Sequence, residues 1–359
     1  MAFNDGGTPL CSAALLGDDE TVAALLGSGA EVNAARRDGS TPLFLAADCG
    51  HPSVVATLLR AGAHVDTARH GGCTPLFMAA QNGHAAVAAM LLEAGARMDL
   101  GFDNNTGCTP LYIAAQQGHD GVVATLVDAG ADVNEARDQQ LGITPLLISA
   151  INGRHAVVAT LLGAGADPNA TLDDGATSLY VSVVSNNEAV VAALLRAGAQ
   201  VDKAVHDGKT PLFVAAEQGN HSMVETLLAA GAQASKATIT GATPCSIAMQ
   251  EGHGLVVAAL TSHRSINPIQ RASSDAQNSE VAEGLATDVE NATAAAAALR
   301  VGKSTCSGCK VALVEGRLKE CPNCKAGEGA EGRRHFFCSN ECFAATWKEH
   351  KKEHLRQSK

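Results

Sequence analysis

One motif recurs through most of this chain and decides what it can fold into. Eight segments open with Thr followed by Pro or, once, Ser, at Thr8, Thr41, Thr74, Thr109, Thr144, Thr177, Thr210 and Thr243. The steps between them are 33, 33, 35, 35, 33, 33 and 33 residues. A Gly-Ala pair begins 21 residues after each of the first seven Thr, at Gly29, Gly62, Gly95, Gly130, Gly165, Gly198 and Gly231. That constant spacing means the regular part of each unit never changes length. Both two-residue insertions fall between a Gly-Ala and the next Thr-Pro, within 95–109 and 130–144. Such a period marks a stacked repeat architecture, in which no single unit buries its own apolar side.

Local chemistry assigns each piece. Thr41 is expected to cap a helix by accepting from a backbone amide, and Pro42 fits the first helical position, where its missing N–H costs nothing. Leu43, Ala46 and Ala47 mark the buried side of a short helix, and Gly50 permits the left-handed turn that ends it. Val54, Val55, Leu58 and Leu59 fall at helical spacing for a second helix, which Gly62 stops. The stretch from Ala63 to Cys73 is polar and Gly-containing, as a hairpin-like loop should be. Aromatic residues make up only 3% of the chain. Its core must therefore come from Ala, Leu and Val, which suits thin stacked helices.

Residues 41–68, "TPLFLAADCGHPSVVATLLRAGAHVDTA", and 109–136, "TPLYIAAQQGHDGVVATLVDAGADVNEA", resemble the ankyrin repeat, with its T-P-L-H-x-A opening. The resemblance covers roughly residues 7–264. It implies an all-α solenoid of about eight helix-turn-helix-loop repeats over residues 1–264. One departure is consistent. The His of T-P-L-H is replaced by Cys11, Phe44, Phe77, Tyr112, Leu147, Tyr180, Phe213 and Ser246. In the family that His bridges neighbouring units; here the aromatic rings are expected to pack into the core instead. Gly-His pairs at His51, His84, His119 and His253 sit about one repeat or more apart, too far to share a metal, and belong to the repeat pattern.

The resemblance also implies an elongated concave surface for protein partners, built from loop tips and the two variable residues before each first-helix glycine. The candidate contacts are Arg36, Arg37, Asp38, Arg69, His70, Asp103, Asn104, Arg137 and Asp138 on the loops. On the helices they are the pairs Asp48/Cys49, Gln81/Asn82, Gln116/Gln117 and Glu217/Gln218. The lengthened loops 101–107 and 137–142 are expected to project together as a preferred contact region.

Residues 265–302 lose the repeat and read as a polar, partly disordered or helical linker. Beyond it stand eight soft donors in four pairs: Cys306/Cys309, Cys321/Cys324, Cys338/Cys342 and His350/His354. Eight such ligands match two closed tetrahedral Zn2+ sites, and spacing alone allows sequential or crossed pairing. The segment "HFFCSNECFAATWKEHKKEH" (335–354) resembles the MYND-type zinc finger, with Cys338, Ser339, Cys342, Trp347, His350 and Lys351 in place. The resemblance implies crossed pairing within a module at 303–359. One zinc would take Cys306, Cys309, Cys338 and Cys342, and the other Cys321, Cys324, His350 and His354. His354 stands where the family has Cys, and remains a competent ligand. In the family a Gln and the Trp help hold a Pro-containing peptide; here Trp347 is present but Phe343 replaces the Gln. A loop residue, His335, is not needed as a ligand beside eight better-placed donors.

Charge divides along the same boundary. Residues 303–359 carry 12 Lys+Arg against 7 Asp+Glu, while the remainder carries 14 against 30. The acidic repeats should repel nucleic acid, whose binding needs basic side chains. The N-terminal residues show no basic segment followed by an apolar run, and no stretch is apolar enough to span a bilayer. Six Cys in ligand pairs and five scattered ones fit a reducing cytoplasmic or nuclear setting. With no nucleophile elbow, phosphate-cradling loop or H-E-x-x-H, and no length left for a SET domain, no catalysis is expected. The chain reads as a protein-interaction adaptor. Transcriptional co-regulation and a ubiquitin-ligase scaffold are the alternatives, the latter weakened by the terminal C-x3-C and H-x3-H spacing.

Overall fold

A computed structural model describes residues 6–101, 108–137 and 142–266, with side chains as far as 263. Among the described residues are sixteen helices in eight pairs and no strand. The first helices are α1 (Pro9–Leu16), α3 (Pro42–Cys49), α5 (Pro75–Asn82), α7 (Pro110–Gln117), α9 (Pro145–Ile151), α11 (Ser178–Val184), α13 (Pro211–Glu217) and α15 (Pro244–Gln250). The second helices are α2 (Asp19–Gly27), α4 (Pro52–Arg60), α6 (Ala85–Glu93), α8 (Asp120–Asp128), α10 (His155–Gly163), α12 (Glu188–Arg196), α14 (His221–Ala229) and α16 (Gly254–Ile266).

The capping expected at Thr41 holds in every repeat. Each of the eight threonines sits in extended backbone, and its hydroxyl accepts from the N–H three residues on. Such a cap is worth about 1 kcal/mol. Gly50 ends α3 at φ 73, in the left-handed region. In the sixth repeat Asn186 takes the glycine's place at φ 56, a conformation that Asn adopts more readily than most residues.

Burial differs between the two helix rows. Second helices are one-sided: Val54, Val55 and Leu58 of α4 are fully buried, and Leu59 is half-buried. First helices are not. Every residue from Pro42 to Ala47 is buried, rather than only Leu43, Ala46 and Ala47. The reason is that α3 is enclosed by α1, α5 and its own α4. Small side chains permit this: Ala46, Ala47, Ala79, Ala80, Ala114 and Ala115 are all 0% exposed. Substantial helix contacts run only within a repeat or to the next one, so the core is continuous but local.

The recurrent histidines bridge the repeats. A backbone carbonyl only accepts, so each Nε2 must donate. His51 reaches Leu15 at 3.1 Å, His84 reaches Asp48 at 3.1 Å, His119 reaches Gln81 at 3.0 Å and His253 reaches Glu217 at 3.1 Å. The fifth repeat puts Arg154 there, with Nε 3.3 Å from the Gln116 carbonyl.

These rings occupy the space that a side chain on the preceding turn would need. A Cβ on Gly50 would lie 2.4 Å from His84 Nδ1, whereas one on Gly62, also at positive φ, would meet nothing within 4 Å. Gly62→Ala is therefore expected to cost about 1 kcal/mol through conformation alone. Gly50→Ala should cost about 1 kcal/mol more by displacing the bridge. Urea unfolding of both variants checks this, and equal costs would mean that the histidine bridge adds nothing.

Candidate protein-interaction face

The face of interest is formed by the first helices and by the finger loops that link each repeat to the next. Six fingers close with the same backbone bond. The N–H groups of Arg36, Arg69, Arg137, Leu172, Val205 and Thr238 donate to the carbonyls of Ser40, Cys73, Ile143, Ala176, Lys209 and Ala242. Neighbouring fingers are tied in turn: the N–H of His70 donates to the Asp38 carbonyl at 2.8 Å, His206 to Asp174 at 2.9 Å and Ile239 to Asp207 at 3.0 Å.

A second ladder runs along the exits of the second helices. The carboxylate or amide oxygens of Asn33, Asp66, Asn134, Asn169 and Asp202 accept from the N–H groups of His64, Arg97, Asp167, Gln200 and Gln233. At Asp99 the pattern changes, because its carboxylate pairs with Arg97 at 2.6 Å. A cavity of about 270 Å³ opens there, lined by Met98, Asp99, Leu111, Asp132 and Glu135 among others. Burial and the charges of Asp132 and Asp99 push the Glu135 pKa up.

The loop arginines do structural work. Arg69 lies over the Phe44 ring at 5.3 Å, and Arg137 over the Tyr112 ring at 5.2 Å, its Nη1 3.5 Å from the phenol oxygen. Such stacking is worth about 0.5–1 kcal/mol where solvent reaches it. Arg36 and Arg69 also act on Asp38. Burial opposes its charge, but bonds from the Ser40 N–H and hydroxyl, with the two arginines, hold its carboxyl below the usual range. Where Cys11 replaces the family's histidine, its Sγ lies 3.3 Å from the Ala34 carbonyl, a weak donor in the histidine's role.

The rings expected in the core are there. Phe44, Phe77, Tyr112 and Phe213 are buried, while Tyr180 is half-buried. Ser246, in the last repeat, is exposed and completes a capping box with Thr243 instead. Among the candidate contacts, Arg37, His70 and Gln117 are exposed, and Arg36, Arg69, Gln116 and Arg137 are half-buried. The Gln116 carbonyl accepts from Asn152 and Arg154 of the next repeat. On the helix row, Asn82 Nδ2 donates to the Asp48 carbonyl and carboxylate, and Gln218 Nε2 to the Val184 carbonyl. Asp103, Asn104, Asp138, most of the two lengthened loops, Trp347 and all eight candidate zinc ligands lie outside the described residues. Among the described residues no group of His, Cys, Asp and Glu is arranged to hold a metal, and no helix is long and apolar enough to cross a membrane.

The paired helices and their Thr caps form one unit repeated eight times, and the finger loops join neighbouring units. A family model described as "Ankyrin repeats (3 copies)" matches residues 2–69, 65–137, 135–205 and 194–272, well over half the chain. The chain belongs to the ankyrin repeat family. The crystal structure of the human ASB11 ankyrin repeat domain is similar at 28% identity, with a TM-score of 0.56, covering 63% of this chain and 99% of that one. No curated protein matches. Ankyrin repeats imply a protein–protein interaction role.

Sequence reasoning missed two features of this ankyrin face. One is the Asn/Asp ladder, whose signal was the Asn or Asp that recurs four residues after most Gly-Ala glycines. The other is the setting of Tyr180. Burial, then the charges of Asp207, Glu217 and Asp174, push its phenol pKa well above the ordinary value. The phenolate is thus disfavoured in the folded state. Stability is fully present below the ordinary tyrosine value of about 10 and falls as pH rises past it. Tyr180→Phe is expected to flatten that alkaline loss, as read from unfolding midpoints between neutral pH and about pH 11; an unchanged slope would contradict it.

Proposed function

We propose that the protein is a non-catalytic adaptor with two binding ends. The ankyrin face takes one protein partner, and a MYND-like finger at 303–359, folded around two zinc ions, takes another. What supports the first end is the row of first helices and, among the described residues, six finger loops closed by the same backbone bond and tied by their own ladders. The second end is supported by the donor set. Four pairs of soft ligands fit zinc, whose closed tetrahedral sites fold a domain and leave no position to activate water. A segment of this size, rich in Gly, has too small a core to fold by burial alone.

Two ends joined by a linker of about 38 residues, 265–302, would raise the effective concentration of one partner near the other. The test is a pull-down with the intact chain, with Cys321→Ser and with residues 1–264 alone. The proposal expects one partner set to follow all three forms and a second set to be lost from the last two. Identical sets from all three would end the two-ended reading. Recruitment of transcriptional regulators, in a cytoplasmic or nuclear setting, is the same chemistry with a different address.

A further inference from the structure

The finger position that closes each loop changes character along the array. It is Arg36, Arg69 and Arg137 in earlier fingers, then Leu172, Val205 and Thr238, all fixed in register by the same backbone bond. Arg69 and Arg137 use that position to cover the aromatic ring of the preceding first helix, Phe44 and Tyr112. Phe213 is covered from its own repeat by Lys209, whose Nζ lies 5.5 Å from the ring centre. Tyr180 has Val205 at the covering position. Among the described residues no cation lies over its ring and nothing is bonded to its hydroxyl.

Its surroundings are nevertheless those that a cation seeks. Asp207, Glu217 and Asp174 all act on the phenol. Asp174 and Asp207 are held by the loop N–H groups of Ala176 and Lys209, each at 2.9 Å, which fixes their carboxylates in place. Lys209 answers only Glu217, at 3.2 Å. Of the three carboxylates that act on this half-buried ring, Lys209 pairs with one. Two aliphatic side chains lie nearby and exposed. Val184 ends α11 at 47% exposure, and Ile239, at 77%, is tied through its N–H to the Asp207 carbonyl.

We propose that Tyr180, flanked by Asp174, Asp207 and Glu217, receives an arginine side chain of a protein partner, with aliphatic residues beside that arginine meeting Val184 and Ile239. The guanidinium takes the place that Arg69 and Arg137 fill intramolecularly in the earlier repeats. Flat stacking on a ring together with carboxylate pairing is the combination that arginine satisfies best. The inference rests on reading the ankyrin face as protein-binding, and narrows it to a basic segment at the sixth and seventh repeats.

The chain has two tyrosines, which makes the test clean. The full chain is labelled with 13C-tyrosine and titrated with N-acetyl-arginine amide at constant ionic strength, and separately with the neutral isostere N-acetyl-citrulline amide. Tyr180 should shift several-fold more than Tyr112, whose ring Arg137 already covers, and citrulline should move neither. Val205→Arg, which installs the register arginine, should abolish the Tyr180 response. Asp207→Asn should weaken it several-fold, while an unmoved Tyr112 signal reports an intact fold in both variants. Equal shifts of the two rings, an equal response to citrulline, or a response that survives Val205→Arg would overturn the inference. So would a partner captured by the ankyrin face whose binding is indifferent to Val205→Arg, though that result would leave the interaction role standing.

Discussion

Leu126→Ala is expected to destabilise the protein by about 2–5 kcal/mol, the usual cost of emptying a fully buried leucine site. It should also divide unfolding into two transitions. Leu126 is 0% exposed in α8, which packs on α6 and α10 as well as on its own α7. Each repeat draws its stability from itself and its immediate neighbours, so a weak unit in the middle uncouples the flanks. Leu260 is the matched control. It is also 0% exposed, but it lies in α16, whose substantial contacts among the described residues are with α14 and α15. Leu260→Ala should fray one end and leave a single main transition. Urea denaturation followed by circular dichroism separates the two cases. A single transition with the same midpoint in both variants would mean that the array is one indivisible core.

The other large effect concerns the proposed zinc ligands between Cys306 and His354. Structural zinc contributes about 10–16 kcal/mol of apparent binding free energy in small domains, which here would be folding free energy. Native mass spectrometry should count two zinc ions per chain. A strong chelator should remove both, raise hydrogen exchange across 303–359 and leave the ankyrin transition where it was. One or no ion in the untreated chain would contradict the proposed ligand set. The pairing is testable in the same preparation. Cys321→Ser removes one site in either scheme, but crossed pairing leaves a site of four thiolates, Cys306, Cys309, Cys338 and Cys342. Sequential pairing leaves Cys338, Cys342, His350 and His354. Cobalt substitution distinguishes them, since four thiolates and a two-thiolate, two-imidazole set give different charge-transfer and ligand-field bands.

What the sequence disclosed and what it hid follow one physical division. Thr caps, helix-stopping glycines and the apolar face of α4 are local, set within a few residues, and they were legible at Thr41, Gly50 and Val54 through Leu58. Interactions between repeats depend on how units stack. The sequence placed His84 in the repeat pattern, but only the stacked structure puts its ring against the Asp48 carbonyl and over Gly50. For the same reason Arg69 and Arg137 read as candidate partner contacts on the loops, and the structure shows both over rings 25 residues earlier. The full burial of α3 was hidden too, because helical periodicity registers one apolar side and cannot see a neighbour approaching the other. Tyr180 carried no sequence signal of its own. Its distinction is the absence of a cation like those over Phe44, Tyr112 and Phe213, which becomes visible only once Val205 is known to occupy the place that Arg69 and Arg137 take.

The central claim is that this ankyrin array works by presenting the face of its first helices and finger loops to another protein. The most direct test is hydrogen exchange on the full chain, free and bound to the tightest binder selected against it from a random peptide library. The account predicts new protection at the finger loops and at the ends of the first helices, centred on residues 172–184 and 205–218, with the outer sides of the second helices unchanged. Protection confined to the outer sides of α4, α6, α8, α10 and α12 would contradict it.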